Sequence, residues 1–145
     1  MSKINGIYAA SVSVLDKELN LDVDKTIKHA ENLILQGCHG VVIFGSTGQA
    51  QLISVAEKIK LIEKLSKNKF KNNFIIGTGF NSLKETISFL NVCKNFNFEN
   101  FLIMPPAYYF YKDNDAIKFY SEIIKIHPWC KIILYNFEKL CGYKF

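Results

Sequence analysis

A chain of 145 residues with 49% hydrophobic and 21% charged residues has the size of one domain and enough apolar material for a core, which excludes a disordered tail. Its formal charge is +5, and all 18 basic residues are lysine. No apolar run approaches the roughly 20 residues that span a bilayer, and Met1-Ser2-Lys3-Ile4-Asn5 lacks the basic-then-apolar build of a secretory signal, so a soluble, cytoplasmic protein is expected.

The first expected element is a weak strand over 6–14. Val23, Ile27, Ala30 and Ile34 then form an apolar stripe that predicts a helix, with Asp22 as its cap or first-turn anion. Val41-Val42-Ile43-Phe44 is apolar without alternation, the pattern of a parallel strand covered on both faces. Ser54-Val55-Ala56-Glu57 matches the capping box, in which the serine oxygen takes the N3 amide and the glutamate reaches back. It opens a helix carrying Ile59, Ile62 and Leu65. Phe74-Ile75-Ile76 is the next strand, and Ser82-Leu83-Lys84-Glu85 a second capping box before Ile87, Leu90 and Cys93. Phe101-Leu102-Ile103-Met104 reads as a strand. Ile117, Tyr120 and Ile124 give a fourth helical stripe, with Asp113 near its start. Ile132-Ile133-Leu134-Tyr135 is a fifth strand, with no helix expected to cover it.

The order is therefore β-α four times and then a strand, in units of about 30 residues. Neither a linker nor a second domain is visible. One architecture for this order is a complete flavodoxin-like module that binds a ligand without catalysis. The other is the amino-terminal portion of a (β/α)8 TIM barrel, which needs about 250 residues in full. The absence of glycine from Ser11-Val12-Ser13-Val14, where a flavodoxin-like phosphate loop would stand, favours the barrel. On that reading residues 1–145 are a single partial domain, truncated after strand five.

Chemistry gathers at the carboxyl ends of the strands, where both architectures place their sites. Gly45-Ser46-Thr47-Gly48 either forms a nest of N–H groups and hydroxyls for a small anion or is a tight strand-to-helix turn. With no arginine fork in the chain, any anion must be held by backbone, hydroxyls or lysine. Tyr135 is either a core tyrosine or a phenol that exchanges a proton with a substrate oxygen. Gly77-Thr78-Gly79 ends strand three without completing a dinucleotide fingerprint. Pro105-Pro106-Ala107-Tyr108-Tyr109-Phe110-Tyr111 is a stiff aromatic loop suited to covering a site or meeting another subunit.

The remaining candidates are quieter. Lys64, Lys67, Lys69 and Lys71 read as a solvated helix end rather than a nucleic-acid surface. Cys38, Cys93, Cys130 and Cys141 form no C-x-x-C pair and read as reduced, mostly buried thiols. His29, His39 and His127 lack metal-ligand spacing, so no metal site is expected. Trp129 reads as a loop anchor. No Ser-His-Asp arrangement or P-loop is present.

In order along the chain, Gly45-Ser46-Thr47-Gly48, Gly77-Thr78-Gly79, Pro105-Pro106-Ala107-Tyr108-Tyr109, and Tyr135-Asn136 with Gly142 resemble the dihydrodipicolinate synthase and N-acetylneuraminate lyase family of pyruvate-dependent class I aldolases. The resemblance covers the whole chain. It implies a (β/α)8 barrel, usually a homotetramer, that needs no cofactor. It also implies a carbon–carbon lyase working through a Schiff base on pyruvate or another 2-keto acid, with an aldehyde partner. Ser46 would relay protons, and Thr47 with the backbone of Gly45 and Gly48 would hold the carboxylate. Tyr135 would be the general acid/base. Tyr108, or Tyr109 if the alignment slips by one, would complete the relay from a neighbouring subunit. Ala10 and Gly77 would line the mouth.

Three residues depart from the family pattern. Gln49 stands where the family has an acidic residue, and Glu138 replaces the proline of Y-N-x-P. Leu140 takes the place of an arginine that holds a substrate carboxylate, which points to a sugar acid or another 2-keto acid in place of aspartate semialdehyde. The family's nucleophile is a strand-six lysine, and none of the lysines here takes its place. Lys131 is at the wrong end of its strand, and Lys139 and Lys144 lie past the mouth. The fragment is therefore expected to be inactive alone.

Overall fold

The computed structural model describes residues 4–145. Five strands, β1 (Tyr8–Ala10), β2 (Gly40–Ile43), β3 (Phe74–Gly77), β4 (Asn100–Ile103) and β5 (Lys131–Leu134), pair in parallel in the order β1-β2-β3-β4-β5. Each strand pairs with the next in sequence, as around a barrel wall; a flavodoxin-like sheet would be reordered about its first strand. The complete flavodoxin-like alternative is thereby excluded.

Four helices cross back over one face: α1 (Val23–Leu35), α2 (Val55–Leu65), α3 (Leu83–Asn95) and α4 (Asp113–Ile126). Alternate strand residues meet them. Val41, Ile43, Ile76, Phe101 and Ile103 are buried against the helices. The other set faces the concave side, where Val42, Leu102 and Ile133 are half-buried and Ile75 is buried. No helix of the described residues is long and apolar enough to cross a membrane.

The helix starts follow the sequence. Asp22 caps α1 by accepting from the Lys25 N–H at 2.9 Å, and its neighbouring lysine holds its carboxyl below the usual range. Ser54 and Glu57 form the full capping box of α2, and Glu57 also accepts from the Leu21 N–H at 2.7 Å. Ser82 makes only its own half of the second box, accepting from Glu85 at 3.2 Å. Asp113 is a first-turn anion of α4 behind Lys112.

Several expectations need correction. The first strand is three residues, not nine, because the chain leaves the sheet after Ser11 donates to the Val42 carbonyl. Residues 15–21 instead close a small turn around Asp16. The fourth stripe is rotated: Ala116, Phe119, Tyr120 and Ile123 are buried, while Ile117 and Ile124 are exposed. Tyr120 belongs to both sets, its hydroxyl donating to the Ile103 carbonyl at 2.9 Å, and the packing of Ala116, Phe119 and Ile123 on its other side sets the buried face. A short fifth helix, α5 (Glu138–Cys141), follows β5. Of the lysine cluster only Lys64 lies in the last turn of α2, where it pairs with Asp24. Two of the four free thiols, Cys93 and Cys141, are buried, and burial pushes the Cys93 thiol up. His127 is buried and meets the Ile87 carbonyl at 3.1 Å, and Trp129 packs on His127 and Phe101.

Candidate active site

Strands β2, β4 and β5 were each expected to run one residue further, through Phe44, Met104 and Tyr135. Phe44 and Met104 lie past their ladders, Tyr135 keeps a last bond from its N–H to the Ile103 carbonyl at 3.1 Å, and all three line a cavity of about 310 Å³ at the carboxyl end of the sheet. The cavity wall is completed by Gly45, Ser46 and Gln49 from the loop after β2, by Ala50, Gln51 and Leu52 from the 3-10 turn that follows, and by Gly79, Leu102 and Leu140.

The β2 loop is both of the things its sequence allowed. It is a tight turn, in which Gln49 and Ala50 donate to the Ser46 and Gly45 carbonyls at 3.0 and 3.2 Å. It is also open to an anion: among the described residues, the N–H groups of Ser46, Thr47 and Gly48 take no intramolecular acceptor, and both hydroxyl residues are exposed. Ser13 donates to the Gly48 carbonyl at 2.6 Å and ties the loop to the β1 side. Phe44, which starts the loop, has φ 56°, and Gln49, which ends it, has φ 52°. Both are left-handed conformations that L side chains adopt at a cost of about 1 kcal/mol or more.

The hydroxyl of Tyr135, which also lines the cavity, is buried and has no hydrogen-bond partner among the described residues. The structure brings Tyr135 together with Gly45 and Ser46 in one cavity. It leaves Thr47, Gly48, Ala10, Gly77 and Tyr108 outside the lining. Gly77 was expected at the mouth, but its contribution is close approach. A Cβ there would overlap the Phe44 carbonyl oxygen, so only glycine lets β2 and β3 meet at that level. Ala10 is exposed at the end of β1.

Tyr108 is 86% exposed, with φ 84°. The residue before it is pinned: the Ala107 N–H donates to the Asn81 side-chain oxygen at 2.9 Å, and Gln51 reaches the same oxygen at 3.5 Å. Asn81 and Gln51 thus connect three of the loops around the cavity. Sequence reasoning missed both, since a lone amide in a loop carries no motif; their only signal was position at a strand end.

Lys58 was missed as well. It belongs to α2 and is fully buried, with its ammonium 2.7 Å from the Thr78 carbonyl and 3.9 Å from the centre of the Phe80 ring. Desolvation lowers its pKa from 10.5 to about 8, while Glu85 on α3 acts in the other direction.

A parallel arc of βα units with its cavity at the carboxyl ends of the strands defines the front of a (β/α)8-barrel enzyme architecture. The dihydrodipicolinate synthetase family model matches residues 3–145, and the chain belongs to that family. The 4-hydroxy-tetrahydrodipicolinate synthase of Karelsulcia muelleri is 30% identical over 145 residues, 98% of this chain and 48% of the relative. The N-acetylneuraminate lyase of Salmonella paratyphi B is 27% identical over 142 residues, 97% of this chain and 48% of the relative. Among solved structures, the Ruminococcus gnavus sialic acid aldolase superposes with a TM-score of 0.85 at 20% identity, over 97% of this chain and 47% of its own. A variant of the Sulfolobus solfataricus 2-keto-3-deoxygluconate aldolase gives 0.86 at 23%, with the same coverage of 97% and 47%. The chain thus spans about half the length of the relatives it matches.

Proposed function

We propose that these residues form the pyruvate-binding and proton-relaying part of a Schiff-base aldolase or lyase, which makes or breaks a carbon–carbon bond beside a 2-keto acid. The observation that carries this reading is the Tyr135 hydroxyl, buried without a partner among the described residues in the cavity that Gly45 and Ser46 also line. A buried orphan hydroxyl costs about 1 to 3 kcal/mol, and a ligand oxygen that completes it explains why it is kept.

On this reading the free N–H groups of residues 46–48 and the Thr47 hydroxyl hold the pyruvate carboxylate. Ser46 passes a proton toward Tyr135, and Tyr135 gives and takes it at the substrate oxygen as the Schiff base forms and the carbon–carbon bond changes. Tyr108, so exposed on its own chain, reaches a site only across a subunit contact, and Tyr109 and Phe110, 72% and 96% exposed, flank it there. A cytoplasmic homo-oligomer fits this arrangement.

Among the described residues no lysine lines the cavity, and on this reading the Schiff-base lysine is not one of them. Leu140 on the wall beside Leu52, Leu102 and Met104 offers no cation to a second carboxylate, which favours a sugar acid or another 2-keto acid over aspartate semialdehyde.

The test is a pyruvate titration of the isotope-labelled chain. Amide resonances of residues 45–48 and Tyr135 are expected to move together; unmoved resonances at millimolar pyruvate would sink the reading. Borohydride with pyruvate should leave no adduct on these 145 residues by mass spectrometry. An adduct would place the nucleophile within them.

A further inference from the structure

The fully buried Lys58 is absent from the cavity wall, yet each of its contacts leads to a residue that holds that wall in place. Its ammonium donates to the carbonyl of Thr78, one residue past the end of β3. Thr78 donates its own N–H to the Leu102 carbonyl at 3.1 Å. Thr78 is itself fully buried, and a buried carbonyl without a donor is costly. Lys58 is the side chain that reaches it, from a helix on the outer layer of the fold.

The same ammonium sits over two aromatic rings, Phe80 at 3.9 Å and Phe44 at 5.7 Å from their centres. Phe44 is the left-handed residue that turns β2 into the anion-binding loop. Thr78 and Phe80 bracket Gly79, which lines the cavity with φ 61° and packs so closely on Ala50 that a Cβ would overlap it. One cation therefore touches the residue that starts the β2 loop and both residues flanking the glycine on which Ala50 rests.

A hydrophobic side chain would fill the same volume without the expense of a buried charge. What it would not do is satisfy the Thr78 carbonyl and attract the faces of two rings together.

Resting on the proposed function for its purpose, we infer that Lys58 is a positioning residue: its ammonium clamps Phe44 and the Thr78–Phe80 segment, and so fixes the two walls of the 2-keto acid site. It touches no substrate. It acts through the Phe44 turn, on which the N–H groups of residues 46–48 depend, and through Gly79.

The experiment is amide hydrogen exchange on the wild-type chain and on Lys58→Met and Lys58→Arg, read without ligand. In Lys58→Met, the Gln49, Ala50 and Thr78 amides are expected to exchange at least about tenfold faster, a change of about 1.4 kcal/mol in local opening. The His39 and Lys131 amides, which are bonded at the opposite end of the sheet, should keep their rates. Lys58→Arg, with charge and reach retained, should recover part of the protection. A purely structural role would instead quicken both ends alike, and that result overturns the inference.

If Lys58→Met does not fold, the wild-type chain still decides. The ε-methylene protons of Lys58, held over Phe80, should resonate upfield of those of the other lysines. Coincidence with the bulk lysine signal overturns the inference. Because no ligand enters either measurement, they judge Lys58 whatever the pyruvate titration says of the site.

Discussion

The two ends of the sheet are built from the same kind of chain and use it in opposite ways. At the amino end several polar groups close on one another. His39 accepts from the Ile7 N–H at 3.0 Å, Asn73 donates to the His39 carbonyl at 2.7 Å, and Lys131 pairs with Glu99. Of the left-handed residues at that end, Gly6 leads into β1 against the His39 ring, and Gly37 and Asn97 each stand just past a helix, with the next amide (Cys38 or Phe98) returning to the helix at 3.1 Å. The last two are ordinary helix stops made by residues suited to them. At the carboxyl end the left-handed residues other than glycine are Leu19, Phe44, Gln49 and Tyr108, the phenol of Tyr135 is orphaned among the described residues, and a lysine is buried. Among the described residues the amino end has orphans of its own, the Asn100 side-chain oxygen and the Trp129 indole N–H. Its left-handed positions, however, fall on glycine and asparagine, whereas the carboxyl end strains larger side chains beside a cavity.

Gly77→Ala should break the contrast most severely. The added carbon meets backbone, not a movable side chain, and a loss of at least about 3 kcal/mol is expected in denaturant unfolding. A stable, unchanged variant would mean that the close crossing of β2 and β3 is not what the glycine provides.

Lys58 supplies the next effect, seen in pH. Its pKa is about 8 when folded and 10.5 when unfolded. Below pH 8 the buried ammonium is charged in both states and its full desolvation cost opposes folding. Between pH 8 and 10.5 the unfolded chain binds more protons, so stability rises with pH. Wild type should therefore gain up to about 3 kcal/mol relative to Lys58→Met across that interval. Parallel stability–pH curves for the two proteins would remove the buried charge from the account.

Tyr135→Phe removes the orphan hydroxyl. Stability should increase by about 1 kcal/mol while the pyruvate response weakens, a trade visible only if the carboxyl end gives up stability for binding. Loss of both together would argue that the phenol is structural.

Smallest is a matched pair of left-handed residues. Tyr108→Gly relieves φ 84° at an exposed site and should stabilise by something under about 1 kcal/mol, whereas Asn97→Ala at the amino end should destabilise by a similar amount. Equal signs for the two would erase the distinction.

Much of this was legible in the residues, because it depends on local physics. Each helix start is written in one or two side chains, and the capping box of Ser54 and Glu57 needs only its own backbone. Strand positions follow from runs too apolar to face water. The α4 stripe differs from the expected one because apolar residues flank Tyr120 at helical spacing on both sides, and only the packing of the finished fold buries Ala116, Phe119 and Ile123 and leaves Ile117 and Ile124 exposed. Strand ends were overrun for a related reason. Phe44, Met104 and Tyr135 are as apolar as the strands they follow, and composition cannot show where the ladder stops.

The sequence by itself determined the order of βα units, the absence of any guanidinium to grip an anion, and the collection of glycine, hydroxyl and phenol residues after the strands. These are properties of neighbouring residues and their periodicity. Only the tertiary structure decided that the strands pair in sequence around an arc, and that Ser46 and Tyr135, 89 positions apart by their numbers, share one cavity. It also decided that a lysine on an outer helix lies beneath that cavity. Burial, strain and an unmet hydrogen bond depend on what the rest of the chain brings alongside, and no local pattern carries that information.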